Sequence, residues 1–323
     1  MPKFFYGTRS LSGFSRGTVL TIGAFDGVHL GHGGIVRSLQ DKSVEHGLPA
    51  VAVTFYPDPA QYFRPQQAPP QIMSLREKTG ALLGSGVDAV VCLPFNEETR
   101  CMTAADFVRR LLVEKLGAKY VIVGDDFRFG AGREGDFELL RQLGSELGFV
   151  AERAETHEYG GERVSSTRLR KLLQQGELEE AEHLLGRPFE ICGRVVRGHQ
   201  LGRDLGFPTA NIPLRRQSVP LSGIFAVHVQ SGDEWYEGAA NLGCRPAVNS
   251  LDKPLLEVHL LDFDDDLYGQ HLKVRFVKKL REEKDFGDLE ALRVAIQGDV
   301  DQAKAWFLEN PKLPELEVKI ENR

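Results

Sequence analysis

Up to about residue 150 the chain alternates short apolar runs with stretches of helical spacing. TVLTIG precedes IVRSLQDKSVEHG, AVAVTF precedes LREKTGALLGSG, DAVVCLPF precedes AADFVRRLLVEKLG, and KYVIVG precedes DFELLRQLGSELG. Strands that are apolar throughout, not at alternate positions, are buried on both faces. The rhythm therefore predicts an α/β domain, a parallel sheet covered by helices on both sides. Ligands bind such sheets beyond the carboxyl ends of the strands. Two glycine-rich segments, GAFDGVHLGH at 23–32 and GDDFRFGAGREGD at 124–136, each follow an apolar run directly and so converge on that rim.

The texture changes at STRLRKLLQQGELEEAEHLLGRP, which reads as two short helices ending at Gly186 with Pro188 beyond. The expected division is a first domain over 1–186 and a second over 187–323, each long enough to bury its own core. Past the boundary, EICGRVVRG, GIFAVHV, YEGAANLG, LLEVHLLDF and HLKVRFVKKL are strand-like, separated by turn residues without intervening helices. A small antiparallel β-barrel fits this, with the helix DLEALRVAIQGDVDQAKAWFLE capping one side.

Composition narrows the function classes. With 41% hydrophobic and 27% charged residues the chain is too apolar for disorder. A net charge of −6 argues against nucleic-acid or anionic-membrane binding, which needs a basic face. No apolar stretch approaches the roughly 20 residues that span a bilayer, and MPKFFYGTRSLSG lacks a signal peptide's apolar core, so the expected location is the cytoplasm. Cys92, Cys101, Cys192 and Cys244 are scattered with no CxxC pair and are expected to be reduced and buried.

In the first glycine-rich turn, His29 and His32 lie three positions apart at a predicted helix start. Backbone N–H groups and the positive end of the helix dipole suit that place to a polyphosphate. A zinc pair or two surface histidines on an ordinary turn are the competing readings of HxxH. No third cysteine or histidine ligand lies near in sequence, whereas RVSSTRLR at 163–170 adds hydroxyls and guanidinium groups suited to phosphate oxygens.

GAFDGVHLGH with the later SSTRLR resembles the nucleotidyltransferases that adenylylate small phosphorylated molecules. TFYPDP, VGDDFRFG and GREGD narrow the resemblance to the bacterial bifunctional riboflavin kinase/FAD synthetase family, over nearly the whole chain. The resemblance implies that His29 and His32 bind and polarise the ATP phosphates, that Gly23, Phe25 and Asp26 shape the nucleotide pocket, and that Asp126, Arg163, Ser166 and Thr167 complete it. It places the flavin ring against Pro57, Pro59, Phe63 and Phe129. The family more often reads TFxPHP, so Asp58 stands where a histidine is usual, and the carboxylate is expected to slow adenylylation.

GRDLGFPTANI at 202–212 resembles the riboflavin kinase signature. Thr209 and Asn211 offer two neutral oxygens on one short segment, able to hold Mg²⁺ together with ATP phosphates that bring most of the negative charge. Gly202 and Gly206 would let the loop close over those phosphates, and the resemblance counts Arg203 of the same segment among the binding residues. A riboflavin hydroxyl needs a base, and the resemblance assigns it to Glu257 in LLEVHLLDF, with Arg281 and the last helix closing the flavin pocket. NLGCRPAV departs from the usual NxGxxPT, with Ala247 replacing a threonine beside Gly243 and Pro246.

The expected function is thus phosphorylation of riboflavin to FMN in the barrel and adenylylation of FMN to FAD in the α/β domain. Both steps consume ATP with Mg²⁺, and self-association stays open. The alternatives are a nucleotidyltransferase for another phosphorylated small molecule with a degenerate barrel, or a non-catalytic flavin-binding regulator. An RNA-binding barrel is disfavoured by LDFDDDLYG, which lacks basic residues interleaved with stacking aromatics.

Overall fold

In the computed structural model, which describes residues 3–9, 11, 14–198, 201–245 and 253–311, the early apolar runs form one six-stranded parallel sheet. Its strands are β1 (Lys3–Tyr6), β2 (Thr18–Ile22), β3 (Ala50–Tyr56), β4 (Ala89–Pro94), β5 (Ala118–Val123) and β6 (Val150–Arg153), in the order β1-β4-β3-β2-β5-β6. All five residues of β2 are buried, as its unbroken apolar run requires. The chain steps outward from β2 to β3 and β4, then returns to place β5 on the other side of β2. That reversal opens a crevice above the carboxyl ends of β2 and β5, where open α/β sheets bind ligands.

The connecting helices are α1 (Leu30–His46), α2 (Pro59–Phe63), α3 (Leu75–Gly84), α4 (Glu97–Arg100), α5 (Ala104–Asp106, running on in π winding over Phe107–Lys115) and α6 (Phe137–Leu147). A short ribbon, β7 (Glu158–Tyr159) with β8 (Glu162–Arg163), leads to α7 (Ser166–Gln175) and α8 (Leu178–Leu185). By packing, Met1–Pro69 and Leu75–Ser166 form one unit, and Pro70–Ser74 with the chain from Thr167 onward form the other.

The second unit is the expected antiparallel barrel. Its strands β9 (Glu190–Arg194), β10 (Ala210–Pro213), β11 (Gly223–Ser231), β12 (Glu234–Arg245), β13 (Lys253–Leu260) and β14 (His271–Arg281) run in the order β10-β13-β12-β11-β14-β9. An antiparallel bridge between Val196 and Asn211 joins the two ends, with the Val196 N–H donating to the Asn211 carbonyl at 2.9 Å. A one-turn helix, α9 (Leu201–Asp204), precedes β10, and α10 (Leu289–Glu309) covers the barrel through Val300, Ala303 and Phe307, which pack with Ala226 and Ala239. Trp306 joins that cluster edge-on to Phe307, and Trp235 on β12 lies 4.7 Å from the guanidinium of Arg275, itself held by Glu190 at 2.9 Å.

His228 on β11 is 4% exposed, faces Phe307 at 5.0 Å, and has its pKa pushed down to about 4, chiefly by burial and then by the charge of Arg275. Its ordinary pKa is 6.5. Below that value the unfolded chain gains a proton that the folded imidazole refuses, so stability falls as pH drops from 6.5 towards 4 and is unaffected above. The expected loss is about 3 kcal/mol. Denaturant midpoints of the second unit across this range check it, and His228→Leu should flatten the dependence.

The cysteines correct one expectation. Cys92 is buried, and burial raises its thiol to about 11. Cys101, however, is exposed on the turn after α4, and Cys192 is half-buried. The side chain of Cys244 lies outside the described residues.

Candidate active sites

The crevice of the first unit is a cavity of about 700 Å³ whose walls include Gly23, Phe25, His32, Asp58, Asp126 and Ser166. The turn that forms its floor is strained: Phe25 and Val28 adopt left-handed φ values of 50° and 40°, a cost that persists only where surroundings over-determine it. Phe25 is 2% exposed and meets the His32 ring edge-on at 5.2 Å. A Cβ at Gly23 would come within 3.1 Å of the Phe25 ring, so glycine leaves room for that fold-back.

His29 and His32 form a reciprocal cap on α1. The His29 N–H donates to Nδ1 of His32 at 3.3 Å, the His32 N–H donates to Nδ1 of His29 at 3.4 Å, and the rings stack at 3.7 Å. With both Nδ1 atoms accepting, the neutral imidazoles carry their protons on Nε2. His29 Nε2 lies 3.3 Å from the Ser166 hydroxyl, which donates to the Asp26 carbonyl at 2.7 Å. The resemblance implies that both histidines polarise the ATP phosphates. His32 lines the cavity, while His29, 5% exposed, stands behind it and reaches Ser166.

Asp126 lines the cavity. Arg163 is not part of the wall and pairs with Asp125 at 2.7 Å and with Asp126 at 3.3 Å, and Thr167 is an exposed residue of the second unit. Of the residues placed against a flavin ring, Pro59, Phe63 and Phe129 line the wall and Pro57 does not. Phe129 stacks on Phe127 at 5.4 Å, and Phe63 meets Phe95 at 5.6 Å. Asp58 is the N-cap of α2, accepting the Ala60 N–H at 2.9 Å, so its carboxylate has a structural task as well as a place in the wall. Lys78 was not anticipated: it is 6% exposed and donates to the Ala24 carbonyl at 2.7 Å and to Thr54 Oγ1 at 3.2 Å. The available signal was its i, i+4 spacing from Leu82, which puts both on the buried stripe of α3.

In the second unit Gly202, Thr209, Asn211, Glu257 and Arg281 line a cavity of about 610 Å³. Arg203 and Gly206 are exposed and off its wall. A Cβ at Gly202 would lie 2.5 Å from the Phe207 carbonyl and 3.1 Å from Thr209 Oγ1, so glycine lets α9 sit on the Thr209 segment. Register puts Asn211 of β10 and Asn241 of β12 on either side of Glu257 in β13. Asn241 also lines the cavity, and no pattern in the sequence singled it out, because only strand pairing brings it beside Glu257. The buried Oδ1 atoms of Asn211 and Asn241 have no hydrogen-bond partner, while Asn211 Nδ2 donates to the Thr209 carbonyl at 3.2 Å.

Hard neutral oxygens left open in this way suit a hard cation or a hydroxyl ligand. Among the described residues no cluster of three or more His, Cys, Asp or Glu could hold a metal. Arg281 binds Asp299 of α10 through two contacts of 2.6 Å, joining β14 to the last helix at the cavity edge. Pro246 and Ala247 lie outside the described residues.

Comparison with known proteins matches a family model described as FAD synthetase to residues 12–168 and one described as riboflavin kinase to residues 185–307. A bifunctional riboflavin kinase/FMN adenylyltransferase of Pseudomonas fluorescens is 48% identical over 299 residues, covering 93% of this chain and 96% of that protein. The enzyme of the same name from Escherichia coli K12 is 47% identical over 293 residues, covering 90% and 93%. A crystal structure titled as a macrolide-efflux protein from Streptococcus pneumoniae superposes with a TM-score of 0.77 at 25% identity, covering 94% of this chain and 99% of that one. No helix among the described residues is long and apolar enough to cross a membrane.

Proposed function

The chain belongs to the bifunctional riboflavin kinase/FMN adenylyltransferase family and carries both activities, and from that premise we propose how its residues divide the work. The kinase match over 185–307 sets aside the degenerate-barrel reading. The observation that carries the division is the pair of cavities, one in each unit, each lined by the residues its chemistry calls for. We place the functional boundary at Gly186, with 1–186 for adenylylation and 187–323 for the kinase. The start of the kinase match supports this, although α7 packs with the second unit.

In the first unit the FMN phosphate, largely ionised at neutral pH, attacks the α-phosphorus of ATP. A new P–O bond forms, the bond to the β-phosphate oxygen breaks, and pyrophosphate leaves with the electron pair. No general base is required. The chain supplies position and fixed donors: the N-terminus of α1, the Nε2–H of His32 and, one step behind, His29 acting through Ser166. Pro59, Phe63 and Phe129 offer the apolar wall for the isoalloxazine ring.

In the second unit Glu257 takes the proton of the riboflavin hydroxyl as that oxygen attacks the γ-phosphorus of ATP, and ADP leaves. Thr209, Asn211 and Asn241 offer the oxygens that would hold Mg²⁺, and when bound the ion supplies neutralisation of phosphate charge. Arg281, fixed by Asp299, bounds the flavin end. A cytoplasmic enzyme of small-molecule substrates, without nucleic acid or membrane as partner, is consistent with the net charge of −6.

The test is a time course with riboflavin and ATP, separating the flavins by chromatography, with Mg²⁺ or with a chelator. FMN should appear first and FAD follow, and chelation should stop both steps. Turnover that survives chelation would overturn the metal assignment.

A further inference from the structure

We propose that Lys78 is a positioning residue of the adenylyl-transfer site, whose buried ammonium grips the Ala24 carbonyl and so holds the 23–25 turn in the form that receives ATP. The inference rests on the reading that this turn binds the nucleotide.

A lysine on the buried stripe of a helix is costly, because an ammonium leaves water for an apolar interior. Leucine, as at position 82 one turn on, would fill the same face without that cost. What the charge gains at 78 is a specific pair of acceptors. Nζ donates to the Ala24 carbonyl at 2.7 Å and to Thr54 Oγ1 at 3.2 Å, and the Thr54 hydroxyl donates to the same carbonyl at 3.3 Å. Two donors from α3 and β3 therefore converge on one carbonyl in the middle of the nucleotide turn.

The geometry of the peptide makes that grip consequential. A trans peptide is planar, with its C=O and N–H pointing to opposite sides. Fixing the Ala24 carbonyl towards Lys78 aims the Phe25 N–H the other way. Lys78 is absent from the cavity wall, whereas Gly23, Ala24 and Phe25 all belong to it. The next residue is Phe25 at φ 50°, a conformation that needs external restraint.

The groups acting electrostatically on Lys78 come from three elements: Asp26 of the turn itself, Asp58 at the start of α2 and the Cys92 thiol on β4. Burial is the largest influence and lowers the lysine pKa, while these three raise it. Loss of the proton at alkaline pH would leave the Ala24 carbonyl with a weaker partner, so adenylylation should decline on the alkaline side before an ordinary lysine would titrate.

The test compares Lys78→Met, Lys78→Arg and His32→Ala in FMN-to-FAD conversion, with the thermal transition of the first unit as the control for its folding and riboflavin phosphorylation as the control for enzyme concentration. Lys78→Met should lower kcat/KM for ATP about 100-fold, the scale for a small misplacement of the reacting groups, with phosphorylation unchanged. Lys78→Arg should keep most of the activity and move the alkaline limb to higher pH, since guanidinium does not deprotonate in this range. Lys78→Met within threefold of wild type, with His32→Ala impaired, overturns the role of Lys78 alone. Full activity in both overturns the nucleotide reading of the turn and this inference with it. If Lys78→Met unfolds the first unit, Lys78→Arg decides: an alkaline limb left in place overturns the proposal, and one moved to higher pH sustains it.

Discussion

Glu257→Gln is expected to abolish conversion of riboflavin to FMN, a fall of about 10²–10⁴-fold, the usual worth of a general base, while FMN supplied directly is still converted to FAD. Glutamine keeps the size and can hydrogen-bond to the asparagines on either side of position 257 in register. It cannot accept a proton, so the change isolates base chemistry from packing. Adenylylation takes place at residues of the other unit and serves as the internal control. The check is the initial rate of each step, measured separately by feeding riboflavin or FMN. Loss of both activities would mean misfolding, and retention of both would remove Glu257 from the mechanism.

His29→Ala is expected to lower FAD formation by about 10²-fold, or about 2.7 kcal/mol, with FMN formation unaffected. The substitution removes three things together: the acceptor that caps α1, the ring stacked on His32, and the Nε2 contact to Ser166. A cap alone is worth about 1 kcal/mol of stability. His29→Asn separates the effects, because asparagine is a good N-cap but brings no Nε2–H to Ser166. The thermal transition of the first unit should recover in His29→Asn while the rate of FAD formation stays low. Recovery of both would reduce His29 to a cap.

The parallel sheet was legible because strands buried on both faces leave unbroken apolar runs. β1 and β6 were missed for the complementary reason: they are edge strands of four residues, and KFFY and VAER each hold exposed positions that break the run. β10 overlaps the PTANI motif, where four residues flanked by prolines are too short a run to mark a strand. The histidine turn and the Thr209–Asn211 segment stand out in the sequence because glycine, hydroxyl and imidazole at close spacing have few purely structural uses, and the fold puts residues of each at a cavity.

Asn241 and Lys78 were not found, since each acquires its place through a neighbour distant in sequence. Asn241 meets Glu257 only by strand register, and Lys78 meets Ala24 only after α3 has packed on the sheet. Arg163 stood out for its sequence neighbourhood, which suits phosphate; that it pairs with Asp125 and Asp126 depends on the fold.

The chain has two tryptophans, and both belong to the barrel unit: Trp235 beside Arg275 on β12 and Trp306 on the helix that covers the barrel. Intrinsic indole emission is therefore a one-sided optical label. Its red shift in urea reports melting of that half alone. The adenylylating half, dark at indole-selective excitation, can accept a tryptophan as a second reporter without a background to subtract from its own residues.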